Sequence, residues 1–202
     1  MPSRYLYLVR HGEQQDAEHG LPDGPLSARG VRQAHAIAER LGGVPFTGAW
    51  TSPLQRAQET ARILTQRLPA LEPEPSALLM DCIPSGPEPD LPHAFEPFFG
   101  GVTPEEIAAG EAQMADAVAE WMSPPSGEDR HDLLITHNFV IGWFVRETFG
   151  APAWRWLGVN QANGGLTIIR VRSAKPAVLV THNDLGHLPP ELRTGLTVEQ
   201  PY

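Results

Sequence analysis

Apolar and polar positions alternate in short blocks along this chain, and their spacing predicts strands that are each followed by a helix. Residues 5–9 form an apolar run that stops at Arg10-His11-Gly12, the pattern of a buried strand ending in a turn. Val31, Ala34, Ile37, Ala38 and Leu41 then recur at helical spacing, with Ser27 as the N-cap and Gly42-Gly43 closing the segment. A shorter second unit follows, with a strand over residues 48–51, Ser52 as cap, Pro53 as the first helical residue and an apolar face of Leu54, Ala57, Ala61 and Leu64. Arg56 then falls in the first helical turn. A third strand is predicted over residues 77–80, after which residues 81–103 are rich in Pro and Gly and read as an irregular excursion, a short cap or substrate loop.

Ile107, Met114, Ala115, Val118 and Trp121 predict a helix over residues 104–122, closed by Pro124-Pro125. Residues 132–136 repeat the logic of the first unit: an apolar strand ends at His137-Asn138 and passes into a helix over residues 139–149. Residues 166–171 and 177–181, with a turn around residues 173–176, predict a terminal hairpin, and residues 196–202 a mobile tail. Alternating strands and helices imply a three-layer α/β/α sandwich with a mostly parallel central sheet and helices on both faces. In such sheets ligands bind at the carboxyl ends of the strands, where His11, Arg56 and His137 all fall. Helix N-termini at the same edge expose unpaired N–H groups, which favours an anion.

Length and composition fit one domain over residues 1–195: the chain has 202 residues and 41% hydrophobic content, enough for one substantial core. No apolar run approaches the length of a membrane span, and the first residues lack the pattern of a signal peptide. The single cysteine, Cys82, fits a reducing compartment, so the expectation is a cytoplasmic protein. A formal net charge of -9 argues against nucleic acid or an anionic membrane as partner. Thirteen acidic residues and no Lys or Arg lie within residues 68–129, so anion-binding groups must come from elsewhere. Those available are nearly all arginine, because Lys175 is the only lysine.

Arg10 and Arg56 offer paired, fixed donors suited to phosphate oxygens. A neutral imidazole can attack phosphorus when one ring nitrogen is free and the other is held as N–H, and His11 beside Gly12 suits that role. His137, emerging at the same rim, is placed to donate to the phosphate and stabilise developing charge. Thr181-His182-Asn183 copies Thr136-His137-Asn138, but no helix pattern follows it, so His182 is read as structural. Cys82 lacks the arginine six positions later that a cysteine-dependent phosphatase needs; that position is Glu88. The eight histidines show no His-x-x-x-His spacing, which disfavours a metallohydrolase, and the expectation is a site with no metal and no cofactor.

Leu8-Val9-Arg10-His11-Gly12-Glu13, Leu26-Ser27-x-x-Gly30-x-x-Gln33-Ala34, Ser52-Pro53-Leu54-x-Arg56-Ala57-x-Glu59-Thr60, Thr136-His137 and Asn183-Asp184-x-x-His187-Leu188 follow one another along the chain. In this combination and order the sequence resembles the histidine phosphatase superfamily, also called phosphoglycerate mutase-like. The resemblance implies a three-layer α/β/α fold, His11 as nucleophile, a phosphate pocket of Arg10, Arg56 and His137, and no metal. It also implies a general acid in the segment after the third strand. Asp81 stands there, with Glu13 and Glu88 as substitutes; many relatives carry glutamate at that position. Mutase-like members place an asparagine six residues after the nucleophile, where this chain has Ala17, so Gln14 is a candidate donor instead, with Gly12 and Asn138 completing the substrate-binding set. The segments around Leu78-Leu79-Met80-Asp81, Glu88-Pro89 and residues 186–190 look similar to the mitochondrial protein serine/threonine phosphatase branch. The implied partner is a phosphorylated small molecule or phosphoprotein. Mutase-type phosphoryl transfer and a non-catalytic phosphate-binding module are the alternatives. The acidic, phenylalanine-bearing segment 81–103 points to neutral or apolar leaving groups.

Overall fold

The computed structural model describes residues 2–16 and 23–196. Ala17, singled out above, and residues 197–202 of the predicted tail lie outside the described residues. One six-stranded sheet is built from β1 (Ser3–Arg10), β2 (Gly48–Thr51), β3 (Glu74–Pro75), β4 (Arg130–Thr136), β5 (Leu166–Arg172) and β6 (Lys175–Asp184), in the order β3-β2-β4-β1-β5-β6. β1 to β4 run parallel to one another; β5 is antiparallel to both β1 and β6.

Successive strand side chains point to opposite faces, and the residues of β1 and β4 are apolar on both, so each face can bury a helix pair. Tyr7, Val9, Leu133 and Ile135 pack with Ala34, Ile37, Ala38 and Leu41 of α1 (Ala28–Leu41) and Ala57, Ala61 and Leu64 of α2 (Gln55–Thr65). Leu6, Leu8 and Leu134 pack on the other face with Met114, Ala117 and Trp121 of α3 (Pro104–Trp121) and Val140, Ile141, Phe144 and Val145 of α4 (Asn138–Phe149). These are the three predicted layers. Helix starts follow their sequence signals: Ser27 accepts from the Gly30 N–H, and Thr103 with Glu106 forms a reciprocal capping box at α3.

The register fixes the site. Arg4 to Arg10 pair in order with Arg130 to Thr136, so the central strands end level with each other and deliver His11 and His137 to one edge. Toward the opposite edge, fully buried Asp132 is held by Arg4 Nε at 2.6 Å and Arg130 Nη2 at 3.1 Å. A carboxylate can be buried there because it is paired and hydrogen-bonded.

Three local readings need correction. Residues 77–80 do not form a strand: Ala77–Leu79 is a single 3-10 turn, and the third strand is the two-residue β3 preceding it. Ser52 and Pro53 do not open α2, whose N-cap is Leu54; Ser52 is wholly buried and its hydroxyl is used in the site. Ala115 faces solvent, and α3 packs through Gly110, Met114, Ala117 and Trp121 instead. Within the predicted loop, residues His93–Gly101 wind into 3-10 turns.

Candidate active site

β1 ends at Arg10, and the next residue, His11, is buried with both ring nitrogens committed. Nδ1 lies 2.7 Å from the Gly12 carbonyl, which can only accept, so Nδ1 carries the proton. Nε2 is therefore the lone-pair nitrogen, and it accepts from Arg56 Nε at 3.1 Å. Burial, reinforced by the neighbouring Arg10 and Arg56 guanidinium groups, holds the imidazole pKa well below its ordinary value. His11 is thus a neutral base of fixed tautomer at neutral pH.

The turn that holds it depends on close backbone approach. A side chain on Gly12 would meet the Gly30 carbonyl oxygen at 2.5 Å, and one on Gly30 would collide with the Glu13 carbonyl. The Gly12 N–H donates to Thr60 Oγ1, and Asn163 Nδ2 donates to the His11 carbonyl. The Arg-His-Gly and Ser-x-x-Gly motifs are therefore two halves of one packed turn.

Arg56, in the first turn of α2 and 6% exposed, is the hub. Besides His11, its guanidinium reaches Asp23 Oδ1 at 3.3 Å, Asp81 Oδ2 at 3.5 Å and His137 Nδ1 at 3.2 Å. Because guanidinium only donates, His137 Nδ1 accepts, and its Nε2–H points to Ser52 Oγ at 2.7 Å. Ser52 can donate as well as accept, so it can serve either tautomer of His137. The two imidazoles are 5.0 Å apart between centroids. Burial, with His11 and both arginines nearby, also holds His137 well below its usual pKa.

Arg10 donates Nη1 to the carbonyls of Gln161 and Gly195, while its buried Nε has no protein partner. Burial lowers its pKa to about 10, opposed by Asp81, so it stays charged at neutral pH. Arg10, His11, Asp81, Asn138, Phe139, Asn160 and Gly195 line a cavity of about 190 Å³. Asn138 also accepts from the Gln161 N–H at 2.8 Å.

Asp81 sits at the mouth, 3.9 Å from His137 Nδ1. Its pKa is raised by desolvation, against the opposing pull of Arg56 and Arg10. The two substitute carboxylates are engaged elsewhere: Glu13 is bonded by Ser27 and Arg29, which keep its pKa low despite partial burial, and Glu88 accepts from the Ala153 N–H. Gln14 is buried, bridged through its backbone to Leu26, with its side chain beside Gly24 rather than among the cavity-lining residues. His182 lies on β6 at the far side of the hairpin, its Nε2 buried without a partner. Burial pushes the Cys82 thiol up to about 12, so no thiolate is available there. Among the described residues no group of three or more His, Cys, Asp or Glu is arranged to hold a metal ion.

Sequence reasoning missed Ser52 as a partner of His137, Asp23 as the second carboxylate on Arg56, and Thr60. Asp23 also receives the Gln55 N–H, fixing the α2 N-terminus to the loop before α1. The Ser-Pro-Leu-x-Arg motif contains Ser52, but a serine before a proline signals a helix cap and not a histidine partner.

Residues 6–83 match the model of the histidine phosphatase superfamily, branch 1. The chain is 28% identical over 195 residues to the mitochondrial serine/threonine-protein phosphatase PGAM5 of Mus musculus, covering 94% of this chain and 65% of that protein, so it spans just under two thirds of that relative's length. It is 29% identical over 204 residues to the Probable phosphoglycerate mutase GpmB of Escherichia fergusonii, covering 91% and 94% of the two chains. In fold it resembles the phosphoserine phosphatase of Entamoeba histolytica, with a TM-score of 0.70 at 22% identity over 92% of this chain and 100% of that one.

Proposed function

We propose that this chain, whose residues 6–83 match the histidine phosphatase superfamily model, is a member of that superfamily and hydrolyses phosphomonoesters through a phosphohistidine on His11. The observation that carries this reading is the fixed tautomer: Nδ1–H is held by the Gly12 carbonyl, while the Nε2 lone pair faces a guanidinium-lined cavity. A phosphoryl group displaces the Arg56 Nε contact and takes that N–H onto one of its own oxygens. Arg10 and Arg56 neutralise the oxygens, and His137 donates once its proton moves to Nδ1, with Ser52 then donating to Nε2.

In the first step Nε2 attacks phosphorus in line, the bond to the ester oxygen breaks, and Asp81 gives that oxygen its proton. In the second, water attacks the phosphohistidine, Asp81 takes a proton from it, and the P–N bond breaks to release inorganic phosphate and neutral His11. The raised pKa of Asp81 supports a protonated fraction nearer neutrality than an ordinary aspartate has.

The substrate is a phosphomonoester whose leaving group carries no negative charge of its own, small molecule or phosphoprotein; the acidic rim supports this over phosphoglycerate-type anions. We also propose a cytoplasmic location, in keeping with the single cysteine. The test is acid-labile, base-stable radiolabel at His11 after a rapid quench, together with a phosphatase panel. Loss of label and of turnover in His11→Ala is the expected result. Full phosphatase activity in that variant refutes the proposal.

A further inference from the structure

Next to the phosphate cavity, and sharing Asp81 and Phe139 with it, runs a groove of about 390 Å³ lined also by Cys82, Ile83, Glu106, Ala109, Gly110 and Gln113. Glu106, Ala109, Gly110 and Gln113 are one stripe of α3, spaced three and four residues apart along its first turns. The opposite wall is Phe139, fixed edge-on by Phe98 at 5.6 Å and Trp156 at 4.9 Å between ring centroids. An ester oxygen protonated by Asp81 lies at the junction of the two spaces, so among the described residues the groove offers a place for the alcohol portion.

Its polar groups share one character. Gln113 gives its amide nitrogen to the carbonyls of Leu78 and Met80, at 3.2 and 2.8 Å. Those partners only accept, so the amide orientation is fixed, and Oε1 is left as the unused atom. Glu106 spends Oε2 on Thr103 in the capping box and leaves Oε1 unused. Its two bonds from Thr103 hold its pKa below the usual carboxylate value, so it is charged at neutral pH. Asp81 is the third polar group; no Lys, Arg or His lines the groove. The wall is thus apolar, with acceptors and no strong side-chain donor.

We infer that this groove is the leaving-group subsite, and that it selects phosphomonoesters whose alcohol has an apolar stem ending in an ammonium group. The inference rests on the phosphatase reading above and deepens it. An ammonium supplies donors that the Gln113 and Glu106 oxygens lack, while a carboxylate or second phosphate in the same place meets only like charge.

The test compares kcat/KM for pentyl, 5-aminopentyl and 4-carboxybutyl phosphate at low and moderate salt, in wild type and Glu106→Gln. Glutamine at that position preserves the capping box, so the variant removes charge without removing the helix cap. The expected order is amino, then neutral, then carboxy. The amino-to-carboxy ratio should fall by about 3- to 5-fold in Glu106→Gln and shrink as salt rises, the scale of one exposed charge. Equal rates, the reverse order, or a ratio unchanged by Glu106→Gln overturns the subsite while leaving the phosphatase reading intact. If wild type hydrolyses none of the three, dissociation constants for the same esters with His11→Ala decide. The same order then upholds the subsite although catalysis has failed, and no order overturns it.

Discussion

Replacing Arg56 by lysine tests whether the site works through the guanidinium fork or only through positive charge. Among the described residues Arg56 reaches four side chains from three nitrogens: Nε to His11, Nη1 to Asp23, and Nη2 to both His137 and Asp81. An ε-ammonium keeps the charge and replaces at most one arm of that planar set in the same geometry. Hydrogen bonds to charged groups contribute about 1.5–3 kcal/mol each, so losing two places an upper bound at about 3–6 kcal/mol. Part of that loss is common to ground and transition states, which leaves about 3 kcal/mol on the barrier, or roughly a 100-fold fall in kcat. The assay is steady-state hydrolysis of an aryl phosphate, with rapid-quench measurement of phosphohistidine to place the defect in the first step. Circular dichroism should show an intact fold, because the Thr60 contact with Arg56 is to the main chain. A variant within about 5-fold of wild type refutes the argument, since charge alone would then suffice.

Asp81→Ala should slow alkyl phosphates by about 100-fold or more while sparing aryl phosphates, whose leaving oxygens need no proton; equal losses on both classes contradict the acid role. Stability should fall as pH drops below about 6.5, because unfolded histidines take up protons there while buried His11 and His137, with pKa values held low, do not. The slope in denaturant titrations should approach about 1.4 kcal/mol per pH unit for each histidine. Asp81, raised by burial, contributes the opposite sign from its unfolded value of 3.8 upward, so it offsets the loss at the acidic end. The same low pKa of His11 predicts an acidic limb of kcat/KM below the ordinary histidine range; a limb at or above pH 6.5 that moves in His11 variants argues against it.

The central units were legible because local and long-range signals agreed. The apolar run before Arg10 has a stop, the helical spacing after Ser27 has a period and a cap, and the structure uses each. His11, Arg56 and His137 could be placed together because strand ends and helix starts in a parallel sheet share an edge. The segment around residues 74–80 was misread because a short apolar run has no period long enough to separate a strand from a 3-10 turn. Ser52 misled for a different reason. A serine before a proline is an ordinary helix-start signal, and only the tertiary contact with a histidine 85 positions away gives its hydroxyl another use. Asp23 reaches Arg56 across a loop, a relation that no spacing rule encodes.

The level pairing of β1 with β4 joins residues more than a hundred positions apart. Neither imidazole has its environment until that seam closes, because His11 takes its backbone partner from Thr136 and the two rings face each other across it at 5.0 Å between centroids. Contacts so distant in sequence form late and slowly. Turnover regained during refolding is therefore a clock for the innermost seam of the sheet, and cutting the polypeptide anywhere between the two strands would leave each fragment with half a reaction centre.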